Sequence, residues 1–481
     1  MPNLNNSTSR HILALVGLSL SILLCLSVLP WSRLTNNALK DFNLFEDLFP
    51  PKTAPTVTTA SSIVDPELEE LMAQAGASGD GTTLPGGAPL AADTIATDSV
   101  ATDSVCQPEP EIETAKAIEG SVAIENYTGG EMLAHYRQAL TEAKERTVRV
   151  AVIGDSYIEG DIFCSHLRDI LQQRYGGSGV GFMPAHCEFP GFRQTVAQSS
   201  NGWEMHDIRN MSRKDTLRTL SSDYGIGQSN AFSMFEGRKK FPTTKSWDRT
   251  TFVFLAKQSG SINITDASGV AQTFEVTPSD YPQAISLEGT TTKARISCSV
   301  PGIVALGTYL DAAKGVQLDC MSIRGNSGLG TSRINAGLCR RIAQWADYDL
   351  IIVEFGMNVL SAEQTDYTPY MINMTAGIRH LQVCYPDADI IIMGVGDRGV
   401  KAGTAIESLP TIEAMTKAQR ETARRAGVHF WDTRAAMGGD KAAVDWRKRK
   451  LLNADYIHLN HDGGGELANI FDKALTHALE E

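Results

Sequence analysis

The sequence is short of positive charge. Lys and Arg total 43 against 56 Asp and Glu, a formal net charge of −13. Nucleic-acid binding wants a basic face, so that balance argues against it and leaves a neutral glycan partner open. The eight cysteines include no C-x-x-C pair or other zinc-like spacing, which removes the usual structural zinc motifs. A glycine-rich run, Tyr175-Gly176-Gly177-Ser178-Gly179-Val180-Gly181-Phe182, lacks the Lys-Ser/Thr ending of a phosphate-binding loop and follows a helix instead of preceding one. It reads as a tight backbone turn. What the chain does have is the composition of a globular protein, 42% hydrophobic and 21% charged over 481 residues, a length that implies two or three domains.

One long uncharged apolar run stands near the start. After a short polar tail at 1–10, residues Ile12 to Trp31 carry no charge, enough for one bilayer crossing. No clear A-x-A site follows, and the apolar stretch is longer than a signal peptide's, so an uncleaved signal-anchor at 11–31 is expected in place of a cleaved leader. Residues 32–123 read as a flexible low-complexity linker. From Phe49 to Glu119 they are rich in Pro, Thr, Ala, Ser, Gly and acid, with the repeat A-T-D-S-V-A-T-D-S-V at 96–105, and offer too little apolar surface to offset chain entropy. The bulk of the protein is then expected outside the cytoplasm, membrane-anchored in the cell envelope with a periplasmic catalytic domain. Disulfides are permitted there, Cys298–Cys320 being one guess.

Globular sequence begins near Ile124. An apolar β-branched run, V-R-V-A-V-I, ends in Gly154-Asp155-Ser156, with a helix expected over 162–175. Short alternating runs at 251–256, 261–265, 294–300 and 303–310, separated by turn residues, predict an inserted antiparallel β-sandwich. Afterwards strands near 316–322, 349–354, 389–395 and 428–432 alternate with helices near 333–346, 368–383, 411–426 and 464–479. Thr368-Pro369 supplies a cap residue and a first-turn proline for one of them. That rhythm implies a parallel sheet covered on both faces. The expected order is a core in two parts, 124–200 and 315–481, split by an insert at 201–314.

Four short stretches fall at strand ends, the edge where α/β proteins collect reacting groups. They are Gly154-Asp155-Ser156, Arg324-Gly325-Asn326, Gly356-Met357-Asn358 and Asp455-Tyr456-Ile457-His458. Acyl transfer to water needs a nucleophile, a base, a group orienting the base, and donors for the oxyanion. Ser156 fits the first role and sits near an expected helix N-terminus; His458 and Asp455 fit the next two. The Ser156 and Gly325 backbone N–H groups and the Asn358 amide are candidate oxyanion donors. Each residue alone has an ordinary explanation, since a Gly-Asp-Ser turn, a loop Asn and a chance D-x-x-H are all common. Their order at successive strand ends is what gives them weight. His461 is a rival base without that spacing.

This ordered set resembles the SGNH (GDSL-type) hydrolases. The resemblance covers 146–200 and 315–481 and implies a flavodoxin-like three-layer α/β/α core, a Ser-His-Asp triad at Ser156, His458 and Asp455 without a G-x-S-x-G elbow, an oxyanion hole at Ser156, Gly325 and Asn358, and no metal or cofactor. Val359 stands where the family often has Asp after the Asn. The glycine run at 175–182, followed by a large β insert, is similar to bacterial peptidoglycan O-acetylesterases, in which the insert resembles a carbohydrate-binding module. The expected function is removal of O-acetyl groups from a cell-envelope glycan, peptidoglycan foremost. The alternatives are an acetylxylan esterase, an O-acetyltransferase with the same triad, and a catalytically dead glycan-binding protein. Arg324 is a candidate contact for a substrate carboxylate, a surface salt bridge being the competing account. Trp203, Tyr224, Phe232, Phe235, Trp247 and Tyr281 are candidates to stack on sugar rings or, more simply, to fill the core of the insert.

Overall fold

The computed structural model describes residues 117–118 and 121–481. The chain enters its main sheet on β1 (Thr147–Gly154) and turns into helix α1 (Cys164–Tyr175). It then leaves for an antiparallel module whose principal strands are β2 (Val196–Asp207), β3 (Asp223–Gly237), β4 (Trp247–Leu255) and β5 (Val304–Asp311). It returns on β6 (Gly315–Ser322) and continues through β7 (Leu350–Glu354), α2 (Thr368–Cys384), β8 (Asp389–Met393), α3 (Ile412–Ala426), β9 (His429–Trp431) and α4 (His461–Glu480).

The main sheet runs β6-β1-β7-β8-β9, all parallel, with Glu125–Asn126 added antiparallel at the β9 edge. Numbered by first appearance this is the 2-1-3-4-5 order of flavodoxin-like folds, whose strand order reverses beside the first strand. Here the reversal lies at β1, flanked by β6 and β7, so ligands are expected beyond Gly154, Ser322 and Glu354. Val148, Val150 and Val152 and the whole of β7 are buried. Such unbroken apolar runs are required where helices cover both faces of a sheet. Among those helices α1 packs with α4, and α2 with α3.

The inserted module differs from the expectation in three ways. It starts earlier, because the strand at Gly181–Met183 lies ahead of residue 201, β2 begins ahead of it, and the two pair with β5 and β3. Polar residues on the solvent side of β2 disguise it as loop. Its nine strands form one hydrogen-bonded antiparallel sheet, where two separate ones were expected. The join is β3, whose C-terminal half pairs with Lys293–Cys298 and whose N-terminal half pairs with β5. The apolar interior between the two arms holds Phe235, Trp247, Phe252, Phe254 and Ile296. The third difference is that β4 is buried on both faces. Phe252 and Phe254 fill the module's core while Val253 and Leu255 join the main one.

Other boundaries move as well. Ala117–Ile118 and Ser121–Val122 form a small hairpin, and the Val122 carbonyl accepts from the Trp431 indole at 2.9 Å, so the last linker residues belong to the fold. The cap of α2 is Tyr367, and Asp366 accepts from the Thr368 N–H, one place earlier than the Thr-Pro pair suggests. Cys298 and Cys320 are both free thiols in different apolar clusters, which removes the guessed disulfide. Among the described residues no helix is long and apolar enough to cross a membrane. The expected anchor at 11–31 and most of the expected linker lie outside the described residues.

A buried ionic cluster ties module to core. The Arg149 guanidinium on β1 pairs with Asp311 on β5 and, at 3.0 Å, with Asp319 on β6. Asp319 also accepts from the Tyr348 hydroxyl at 2.9 Å and the Phe182 N–H at 2.9 Å. All three charged side chains are essentially inaccessible. Removing one member of such a set leaves uncompensated buried charge, typically costing about 3–5 kcal/mol. Arg149→Met is therefore expected to lower unfolding free energy by about that amount, read from urea melts.

Candidate active site

The turn after β1 begins with a close approach. A Cβ at Gly154 would sit 2.6 Å from the Glu354 carbonyl oxygen and 2.8 Å from its carboxylate. Glycine there lets β1 and β7 end side by side with Glu354 tucked behind the turn. Ser156 follows, half-buried, and a 3-10 turn at Glu159–Asp161 separates it from α1. The expected helix N-terminus is thus displaced from the serine by that turn.

Ser156 and His458 are 302 positions apart, yet Ser156 Oγ lies 2.9 Å from His458 Nε2. His458 Nδ1 lies 2.8 Å from Asp455 Oδ2. The other Asp455 oxygen accepts the Ile457 and His458 backbone N–H groups at 3.0 and 3.1 Å. This explains the D-x-x-H spacing. One carboxylate oxygen closes a local turn while its twin reaches the imidazole of the residue that turn presents. Partial burial pushes the Asp455 carboxyl up, but the bonds from the His458 ring and the two N–H groups outweigh it and hold it at about 2. It stays ionised and favours the Nδ1–H tautomer, leaving Nε2 to accept a proton.

The loop reaches the serine because α4 starts unusually close to α1. A Cβ at Gly464 would lie 2.3 Å from the Ile162 carbonyl oxygen, and one at Gly465 would lie 2.8 Å from the His166 ring. The Gly463-Gly464-Gly465 run stands inside a helix against propensity because a side chain at each position would collide with its neighbours. His461, the rival base, begins α4 and faces the Phe192 backbone instead of Ser156.

The three expected oxyanion donors are not alike. Gly325 is buried with φ +81, a conformation suited to glycine. Among the described residues neither its N–H nor that of Ser156 has a protein acceptor. The Asn358 amide, by contrast, donates to Asp155 at 2.8 Å and to the Asn326 carbonyl at 3.1 Å. For Asn358 to serve an oxyanion, the longer bond to Asn326 has to be exchanged for the substrate. Catalytic hydrogen bonds often tighten only when substrate is present.

Sequence reasoning passed over two groups behind this edge. Asp155 is fully buried and also accepts the Tyr157 N–H at 2.8 Å. Glu354 is equally buried, and its Oε1 has no partner. Burial pushes the Asp155 carboxyl up to about 7, and burial with the neighbouring Asp155 charge raises Glu354 well above the usual range. Arg398 was also missed, although it follows β8 at the same sheet edge. Its guanidinium reaches towards the Met357 and Leu360 carbonyls at 3.5 and 3.4 Å, beside the loop of Asn358. Arg324, in contrast, donates to Glu159 at 3.1 Å, so the structure takes the salt-bridge account.

A serine, an imidazole and a carboxylate in hydrogen-bond sequence, on a flavodoxin-like sheet whose Ser156 and Gly325 N–H groups are uncommitted, have the arrangement of a serine ester-hydrolase site. The arrangement is that of a carboxylic ester hydrolase, and residues 290–464 match the model of the GDSL-like lipase/acylhydrolase family. The matched span holds Gly325, Asn358, Asp455 and His458 but not Ser156, which the module separates from them. A solved structure described as a peptidoglycan O-acetylesterase in action is similar over 74% of this chain and 99% of its own, with 21% identity and a TM-score of 0.62. A family two carbohydrate esterase from Cellvibrio japonicus aligns over 60% of this chain and 98% of its own at 12% identity, with a TM-score of only 0.26. No curated protein matches the chain.

The Asp155–Glu354 pair gives a signed pH effect. Acids whose folded pKa is raised bind more protons folded than unfolded, so their stabilising contribution is present below about pH 4 and is lost as pH rises through the folded value. Wild-type stability is therefore expected to fall between pH 5 and 8 as the buried Asp155 carboxyl ionises through about 7, with Glu354 adding to the loss in the same direction. Glu354→Gln should halve that loss or better, as measured by denaturant melts at the two pH values.

Proposed function

We propose that the protein removes O-acetyl groups from a cell-envelope glycan, with peptidoglycan as the substrate, through an acyl-enzyme intermediate. The observation that carries the mechanism is the continuous relay from Ser156 Oγ through His458 to Asp455, at 2.9 and 2.8 Å. Support for the substrate comes from the likeness to the structure named as a peptidoglycan O-acetylesterase, which extends over nearly all of that chain. The apolar N-terminal run at 11–31 supports a membrane-anchored, periplasmic placement beside such a polymer.

In this reading Ser156 attacks the acetyl carbonyl while His458 Nε2 takes its proton, and Asp455 stabilises the imidazolium that results. The Ser156 and Gly325 N–H groups receive the developing oxyanion, joined by Asn358 once it releases Asn326. His458 then returns the proton to the sugar oxygen, which leaves as the free hydroxyl. Water, deprotonated by His458, attacks the acetyl-serine and frees acetate.

The test is acetate release by the purified full-length protein from O-acetylated peptidoglycan and, in parallel, acetylated xylan. Ser156→Ala is expected to lower the rate by at least about 1,000-fold. Serine-dependent release from peptidoglycan with little from xylan supports the reading. Release mainly from xylan moves the enzyme to another polysaccharide, and release from neither removes the glycan substrate.

A further inference from the structure

Three of the six aromatic side chains considered from sequence for sugar stacking are structural. Phe235 and Trp247 are fully buried, and Tyr224 nearly so. Two aromatics that the sequence did not draw attention to behave differently. Phe189 and Phe192 are 39% and 45% exposed, and their rings stack with centroids 5.7 Å apart and planes inclined by 20°. Among the described exposed large apolar side chains, they are the pair in ring contact.

Their position follows from the segment Phe189-Pro190-Gly191-Phe192. The Phe192 N–H donates to the Phe189 carbonyl at 3.2 Å, closing a β-turn with proline in the second place. Residues one and four of such a turn are brought side by side, so the turn itself stacks the rings. The flanks are fixed by buried contacts. The Arg193 guanidinium reaches the Cys320 carbonyl at 3.4 Å, and the Thr195 hydroxyl donates to buried Asp161 at 2.8 Å. Arg209 holds Glu188 at 3.2 Å on the other side.

Those anchors place the pair against three parts of the candidate active site. A Cβ at Gly160, four residues after Ser156, would lie 2.7 Å from Phe192 Cβ. The His461 ring, three residues after His458, faces the Phe192 backbone. The guanidinium of Arg324, immediately before Gly325, lies 4.9 Å from the Phe189 ring centre and 5.8 Å from that of Phe192. Arg324 is already neutralised by Glu159. The rim is therefore aromatic, pre-ordered and without net charge, which suits the C–H face of a pyranose better than an ion.

Resting on the glycan-esterase reading, we propose that Phe189 and Phe192 form a stacking platform for a pyranose ring of the glycan strand, next to the sugar whose ester enters the site. Ring stacking on an aromatic face contributes modestly per contact but fixes orientation. Because the turn pre-forms the platform, little ordering entropy is lost on binding.

The test measures affinity of full-length Ser156→Ala protein for a de-O-acetylated peptidoglycan tetrasaccharide and for xylohexaose, by calorimetry, with and without Phe189→Ala plus Phe192→Ala. The expected result is at least a tenfold loss of tetrasaccharide affinity in the double variant. On the Ser156 enzyme, kcat/KM for O-acetylated glycan relative to an aryl acetate should fall by a similar factor, chiefly through KM. A Phe189→Leu plus Phe192→Leu protein keeps apolar bulk and guards against loop collapse; it should show the same loss, and Phe→Tyr replacements should restore affinity. Unchanged affinity in both the Ala and Leu proteins, or no oligosaccharide binding by the parent, overturns the platform. Serine-dependent acetate release is read separately, so the esterase reading stands or falls on its own result.

Discussion

Asp155 sits one residue before the nucleophile with no access to water, and much of the site depends on how that carboxyl is accommodated. Burying it is unfavourable unless hydrogen bonds compensate. The compensation comes from the Tyr157 N–H, which shapes the serine turn, and the Asn358 amide, which belongs to another strand end. The side chain of Glu354 fills the remaining space, and Gly154 is small enough to admit it. One buried group therefore fixes the register of two loops that approach the reacting centre from different strands.

The module contributes to the same arrangement from outside. Its strand β4 presents one face to each apolar core, and Arg149 ties Asp311 of β5 to Asp319 of β6. The long loop before β2 is held over the serine turn by Thr195 and Arg193. A segment inserted between the first and second strands of the parallel sheet is thus part of the wall around the site, and shares its core.

The parallel sheet was legible in the sequence because its strands are doubly covered and so read as apolar runs, and because α2, α3 and α4 carry helical patterning. The Ser156, Gly325 and Asn358 stretches were legible for another reason: each lies where such a strand stops. Asp455–His458 instead sits in a turn between the helix at Ala442–Lys448 and α4, and was legible by its D-x-x-H spacing alone. β2, β3 and Ala271–Val276 were not, since exposed polar side chains interrupt them. Three features of the site also escaped. The role of Gly463-Gly464-Gly465 needs the partner helix to be visible, Glu354 looks like the polar end of a strand, and Phe189-Pro190-Gly191-Phe192 looks like any turn. The engagement of Asn358 by Asp155 and Asn326 depends on distances that no spacing encodes.

The turn at Asp455–His458 has a mechanical consequence. Because one oxygen of Asp455 holds the backbone of the turn and the other holds the imidazole, acid and base are assembled within four consecutive residues and move as one body. The serine belongs to a different body, the end of β1. What joins them is the seat of the glycine-lined start of α4 against α1. The working separation between base and nucleophile is then a single coordinate, the depth of that seat. Any added atom along it displaces the whole relay together, as a shim under a bearing shifts a shaft without bending it.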